Sequence, residues 1–312
     1  MIRQTTIIFF LTIHMLSAQD IHFSQFEKTK AIINPSLIAN QNEDYQIQLQ
    51  RRSQWFSVTK PFNTFSLSFN AKNIFNSISI GAMMLNDVAG DSYFSTDGFA
   101  ISLINSYKHT NNVYAFSFQT GLFQRSFNYE ELIFIQNEVI NNTKINFFDI
   151  DLGFSNYKKI TEKSSIIFGF SLQHLNKPNQ SLTLEEKAVL NTKYIFHSTY
   201  FNSINSKMDF YPTFYFSQQG QQREFVFGSE MKYVLNNDFN LLSGAFVRMN
   251  DAIFIVLGIE KENLQVTTSY DINISSLSAA SNYAGAFEIA INYGWNTRKK
   301  NKQQIMTCPK YL

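Results

Sequence analysis

Along residues 264–274 apolar and polar positions alternate without a break, with Leu264, Val266, Thr268, Tyr270, Ile272 and Ile274 on one side and Gln265, Thr267, Ser269, Asp271 and Asn273 on the other. A period of two predicts a strand with unlike faces, and by itself it fits a sandwich, a barrel core or a barrel in lipid equally well. The rhythm recurs between clusters of Asn, Asp, Ser, Lys and Gly. It predicts about fourteen strands, at 44–54, 62–71, 76–85, 97–108, 112–127, 147–157, 164–175, 191–203, 207–217, 222–235, 239–249, 252–261, 263–274 and 284–295. Most reach or exceed the about 9–11 residues that a tilted strand needs to cross a bilayer, whereas soluble strands usually have about five or six. In the last, Phe287, Ile289, Ile291, Tyr293 and Trp295 form a face suited to lipid, with Tyr293 and Trp295 at the height of an interfacial aromatic girdle. Strand 239–249 breaks the pattern, because Leu241 and Leu242 are adjacent and Arg248 falls on the side expected to meet lipid.

The connections sort by length. Every second one, around Asn73, 108–111, 158–163, 203–206, 236–238 and Glu262, is short, and those between include the long stretches 86–96, 128–146, 176–190 and 275–283. Outer-membrane barrels have short periplasmic turns and longer outer loops, and an even strand count keeps both termini periplasmic. A soluble sandwich has no reason to sort its loops this way. The predicted fold is all-β: an antiparallel transmembrane β-barrel of a Gram-negative outer membrane over 44–295, preceded by a non-strand periplasmic or plug segment at 19–43 and followed by a periplasmic tail at 296–312.

Composition agrees. Charged residues make up only 16 %, against about 25 % in ordinary soluble domains, while aromatic residues also reach 16 %. Past residue 16 no apolar run is long enough for a spanning helix, and a net charge of +2 gives no electrostatic case for nucleic acid. Arg3, an apolar core from Ile7 to Leu16, and then Ser17 and Ala18 predict a secretory signal over 1–18. The single cysteine, Cys308, builds no disulfide framework.

With the apolar faces turned outward, Arg125, Asp149, Asp151, Glu224, Glu230, Lys232, Glu260, Asp271 and Glu288 are expected inside. Paired carboxylates such as Asp149 and Asp151 can do acid–base work, but a polar lumen accounts for them as well. His22, His109, His174 and His197 are scattered singly, and no triad or nucleotide loop is visible. The expectation is therefore no enzyme, no metal and no cofactor. In the leading segment DIHFSQFEKTKAIINPSLIAN, Pro35 prevents a regular helix, and Phe23, Phe26, Ile32, Ile33 and Leu37 make it apolar for a solvated linker. A linker and a barrel plug both remain open readings.

DIHFSQF, INPSLIAN, RRSQW, GAMMLNDVAGD, TGLFQRSFNYEELIF, LQHLNKPNQSL, SYDINISSLSAASNYAGAFEIAINY and CPKYL, in this order, resemble the motifs of the PorP/SprF family of type IX secretion system outer-membrane proteins. The resemblance covers nearly the whole mature chain. It implies a non-catalytic barrel that supports export or surface attachment of an adhesin-like partner, in systems that include gliding motility, through that partner's C-terminal sorting domain. It also implies contact with periplasmic, cell-wall-linked secretion components. The candidate partner-binding residues lie in the outer loops: Asn86, Asp87 and Asp91, and Lys177, Pro178, Asn179, Leu182 and Leu184. Loop 176–190 carries enough apolar surface either to dock a partner or to cover its own barrel mouth. The rival function is a passive channel or a transporter of hydrophobic molecules, since about fourteen strands lie between barrels filled by side chains and open porins.

Overall fold

The computed structural model describes residues 20–54, 61–90, 94–127, 143–182, 188–236, 238–275 and 284–297. Fourteen antiparallel strands close into a barrel: β1 (Tyr45–Gln54), β2 (Phe62–Phe75), β3 (Ile78–Ala89), β4 (Phe94–His109), β5 (Asn112–Ser126), β6 (Lys144–Lys159), β7 (Ser164–Gln173), β8 (Lys193–Asn205), β9 (Met208–Gln219), β10 (Gln222–Val234), β11 (Phe239–Arg248), β12 (Ala252–Lys261), β13 (Leu264–Asn273) and β14 (Ala284–Trp295). Each strand pairs with its neighbours in sequence, and β1 closes on β14 with Tyr45 opposite Trp295 and Arg52 opposite Glu288. Closure gives every strand a hydrogen-bonded neighbour on both sides, as a lipid environment demands. At one end, here the turn end, the hairpins are tight, and Asn76, Thr110 and Glu262 take positive φ values of 51 to 53°. The opposite, loop end carries the long connections.

Two boundaries move. β2 does not stop before Asn73; it bulges there, with φ of 51° and a register shift between Ala71 and Phe75, so the turn falls at Asn76 and Ser77. The expected loop 86–96 is largely strand, since β3 runs to Ala89 and β4 starts at Phe94, hydrogen-bonded through Asn86 opposite Asp97 and Asp87 opposite Thr96. Both reflect strands that continue past the about 9–11 residues required by the membrane.

The faces separate cleanly. Ile101, Leu103, Phe116, Leu122, Leu257 and Ile259 are among the large apolar side chains left exposed outside. At the turn end Tyr45 and Trp295 stack at 5.5 Å and Tyr293 and Trp295 at 5.8 Å, the girdle expected at a lipid interface. Inside, Gln265, Thr267, Ser269, Asp271 and Asn273 of β13 turn away from lipid, and Asp149, Asp151, Glu230, Asp271 and Glu288 are buried as expected. Arg248 corrects the expectation for β11: it is buried inside, as are Leu242 and Phe246, while Leu241 faces out. The strand defied its period because the wall there is apolar on both faces. Phe246, Phe254 and Val256 line the inside of β11 and β12 and form one cluster with Phe26, Ile33 and Leu37 of the leading segment.

That segment fills the lumen. From Asp20 it runs through a 3-10 turn (Phe26–Lys28), a single helical turn α1 (Lys30–Ile33) and a second 3-10 turn (Pro35–Asn40), and then enters β1 at the turn end. Ile38 and Ala39 pack on Ile104 and Ala115, and Ala31 packs on Met83 and Ala100, so its apolar groups meet the wall on several sides. Burying each large side chain contributes about 1.5–3 kcal/mol toward the cost of ordering this irregular segment, and the polar anchors described below supply further binding to the wall.

Candidate functional site

Three anchors hold the plug, and each joins residues far apart in sequence. The first is Ser24. Its hydroxyl donates to Asp271 Oδ2 at 2.7 Å and accepts from Arg52 Nη1 at 2.6 Å and Arg248 Nη2 at 2.7 Å. Its backbone N–H donates to Glu288 Oε1, the N–H of Gln25 donates to Glu288 Oε2 at 3.0 Å, and Thr267 Oγ1 donates to Gln25 Oε1 at 2.6 Å. Arg52 pairs with Glu288 and, at 3.2 Å, with Asp271; Arg248 reaches Asp271, Asp251 and Glu224 at 3.3, 3.0 and 2.9 Å. Two guanidinium groups this deeply buried are tenable only because carboxylates surround them.

The second anchor is at the loop end, where His174 Nδ1 meets Asp149 Oδ2 at 2.7 Å and Nε2 meets Asp20 Oδ2 at 3.2 Å. Lys193 stands 3.4 Å from the same Asp20 oxygen, and the His174 backbone N–H donates to Asp151 at 2.9 Å. Burial opposes a charge on His174, but its hydrogen bonds to Asp149 and Asp20, and their negative charges, outweigh it and push its pKa up to about 10. Asp149, Asp151 and His174 offer ligand atoms within 4.8 Å of one another, a grouping that the scattered histidines of the sequence did not announce. Both His174 ring nitrogens are already engaged, with Asp149 and Asp20, and Asp151 accepts from the His174 backbone.

Asn34 is the third anchor. Its Oδ1 accepts from Ser36 N at 3.1 Å, capping the turn that Pro35 begins, while Nδ2 donates to Phe154 O at 2.9 Å and lies 3.1 Å from His197 Nε2. The wall makes room with glycine: a Cβ on Gly169 would stand 2.7 Å from Asn34 Nδ2, and one on Gly81 2.7 Å from Ile38 Cδ1. The larger cavities lie on either side of the plug, one of about 540 Å³ at the turn end and one of about 620 Å³ at the loop end beside Asp20, Arg223 and Asp251.

Among the described residues, the candidate partner-binding residues fall into two groups. Asn86 and Asp87 are ladder residues of β3, where Asn86 Nδ2 donates to Asp97 at 2.6 Å and Asp87 accepts from Thr64 at 2.6 Å. Lys177, Pro178, Asn179 and Leu182 follow β7, four strands further round the wall. There Asn179 bridges to Val189, its Oδ1 accepts from Ser181 N and Ala188 N, and Pro178 O accepts from Leu190 N, forming a small flap with exposed Lys177 and Val189. Asp91 and Leu184 lie outside the described residues. The plug anchors were missed. Asn34–Pro35–Ser36 is a legible cap and the inward position of Arg52 follows from its strand, but nothing local marks Ser24 as their meeting point.

Solved structures that share the architecture include two toluene transporters. The chain aligns with the Ralstonia pickettii toluene transporter TbuX at 9 % identity and a TM-score of 0.54, covering 86 % of this chain and 94 % of that one. It aligns with the P. putida toluene transporter TodX at 8 % identity and a TM-score of 0.51, covering 87 % and 95 %. At such identities the likeness is one of fold. No curated protein is a detectable sequence relative. The profile of the type IX secretion system membrane protein PorP/SprF matches residues 15–293. These residues include all three anchors and most of the motifs that build them: HFSQF supplies Ser24, INPS supplies Asn34, LQHLN supplies His174, and AFEIA supplies Glu288. A match over so much of the sequence, on a closed outer-membrane-type barrel, means that the chain belongs to the PorP/SprF family of type IX secretion system membrane proteins.

Proposed function

We propose that this barrel is a docking station rather than a conduit. As a type IX secretion component of the outer membrane, it supports export or surface attachment of an adhesin-like partner through that partner's C-terminal sorting domain, and it carries out no catalysis. In this reading residues 1–18 are a removed signal, the turn end and the tail 296–312 face the periplasm and its cell-wall-linked components, and the loop end faces outward. One observation carries the proposal: residues 20–41 occupy the lumen, fastened to the wall by Ser24 and Asp20 near the loop end and by Asn34 deeper in, so the described chain itself stands between the two mouths of the barrel. The even strand count was expected to keep both termini on the periplasmic side. Asp20 instead stands at the loop end, because the plug climbs the lumen before β1 begins. Shortening loop 176–190 tests the docking reading: barrel level should persist while the surface partner is lost, and a fully retained partner would count against this loop.

The second reading, transport of small hydrophobic molecules, is favoured by the fold shared with two toluene transporters. Planar bilayers and toluene uptake separate the two. Docking predicts silence in both, and steady conductance or uptake by the intact chain would favour transport.

A further inference from the structure

The turn-end cavity of about 540 Å³ falls within the size range of ligand sites, about 300–1,000 Å³, and nothing described so far uses it. Its floor is the underside of the plug, Phe26, Ile33 and Leu37, and its rim reaches the hairpin turns at Lys163 and Glu262, so it opens at the turn end. Its chemistry is one-sided. Lys28 pairs with Glu230 at 3.0 Å and Lys232 pairs with Glu260, leaving Glu27, Glu43, Asp209 and Glu262 against Lys30 and Lys163.

Unmatched acceptors give a second, independent sign. Gln41 is 2 % exposed and Asn292 7 %, yet among the described residues Gln41 Oε1 and Asn292 Oδ1 have no donor, and neither does Glu27 Oε1. The amides cannot simply be turned over. Gln41 Nε2 already donates to Glu43 O at 3.0 Å, and Asn292 Nδ2 to Gln265 Oε1 at 3.2 Å, which fixes the oxygens as the unmatched ends. An apolar floor beneath orphaned acceptors and surplus carboxylates suits a ligand with an aliphatic stem and several N–H donors at its tip.

We propose that this vestibule binds an extended peptide segment carrying arginine or lysine, presented by a partner protein at the turn end. The inference deepens the docking reading above and rests on it only for the source of the segment. An anionic ligand would leave Gln41, Asn292 and Glu27 unmatched, and an apolar one would desolvate the carboxylates without replacing water.

The test uses the full mature chain in nanodiscs of neutral phosphatidylcholine, with fluorescent acetyl-tetra-arginine amide as probe and anisotropy as readout. Saturable binding is expected, at least tenfold weaker in the Glu27→Gln, Glu43→Gln double variant and unchanged in Asp97→Asn, a carboxylate exposed on β4 at the loop end. If the double variant loses heat-modifiability, Glu262→Gln on its exposed turn replaces it, with at least a threefold loss expected. Absence of saturable binding, equal binding of tetra-glutamate, affinity no better than that of single arginine amide, or equal loss in Asp97→Asn would overturn the proposal. Failure here with loss of the surface partner on shortening loop 176–190 would remove this site and leave the docking function standing; the converse would do the opposite.

Discussion

At the scale of single residues, the molecule concentrates its electrostatics where the plug meets the wall. Ser24→Ala removes the hydroxyl shared by Arg52, Arg248 and Asp271, and leaving such groups short of a partner costs about 1–3 kcal/mol. Glu288→Gln takes away the carboxylate that Arg52 and the N–H groups of Ser24 and Gln25 share, and breaking a buried pair costs about 3–5 kcal/mol. Both variants should keep a heat-modifiable barrel while residues 20–41 lose protection from hydrogen exchange, Glu288→Gln more than Ser24→Ala; equal protection in all three proteins would contradict this ranking. His174 adds a pH dependence. Its folded pKa of about 10 lies above the ordinary 6.5, so its contribution is whole below about pH 6.5 and is lost as the pH climbs through 10. The groups around it are Asp149, Asp151, Asp20 and, through Asp20, Lys193. A spin label on Ile21→Cys, with Cys308 replaced by serine, should be immobile at pH 7 and mobile above pH 10, and mobile at both in His174→Gln. A pH-independent spectrum would refute the role given to His174.

At the scale of elements, plug and wall respond to different changes. On β14, Ile289→Arg sets a charge in lipid near mid-membrane at a cost of about 2–4 kcal/mol, and should lower the amount of assembled barrel, whereas Glu288→Gln should spare assembly and loosen only the plug. Assembly damaged equally by both would mean that the two faces are wrongly assigned. Removing residues 20–41 should leave fourteen paired strands around an unfilled lumen, so this variant should conduct steadily in planar bilayers where the whole chain is silent. The elements were legible because period-two alternation and loop length both follow from the bilayer. β12 and β14 run over the expected 252–261 and 284–295. Where alternation failed, in β11, the cause was Phe246 and Leu242 turning inward toward an apolar plug that the strand's own sequence does not mention.

For the whole molecule, closure was legible and content was not. Fourteen strands in chain order predict a β-type circular dichroism spectrum and faster migration before boiling, and a mainly helical spectrum would sink this architecture. The occupant of the lumen was an open question because its anchors pair residues such as Ser24 with Asp271 and Asn34 with Phe154, separations that no local pattern encodes. Arg52 and Glu288 face each other across β1 and β14, the pair of strands that joins the two ends of the sheet, and Ser24 and Gln25 bind that same Glu288. Strands laid down in chain order reach this seam last. Placing the leading segment while the wall is still open is the shorter route, since a completed barrel has no edge through which to admit it sideways and leaves only its mouths. Timing is thus written into the seam: the segment is a passenger that boards before the door shuts, and its charges help to latch it. A chain without residues 20–41 should shut more slowly, visible in pulse-chase as a delayed shift to the fast-migrating form, and once shut the intact barrel can release its passenger only lengthwise or by unzipping β1 from β14.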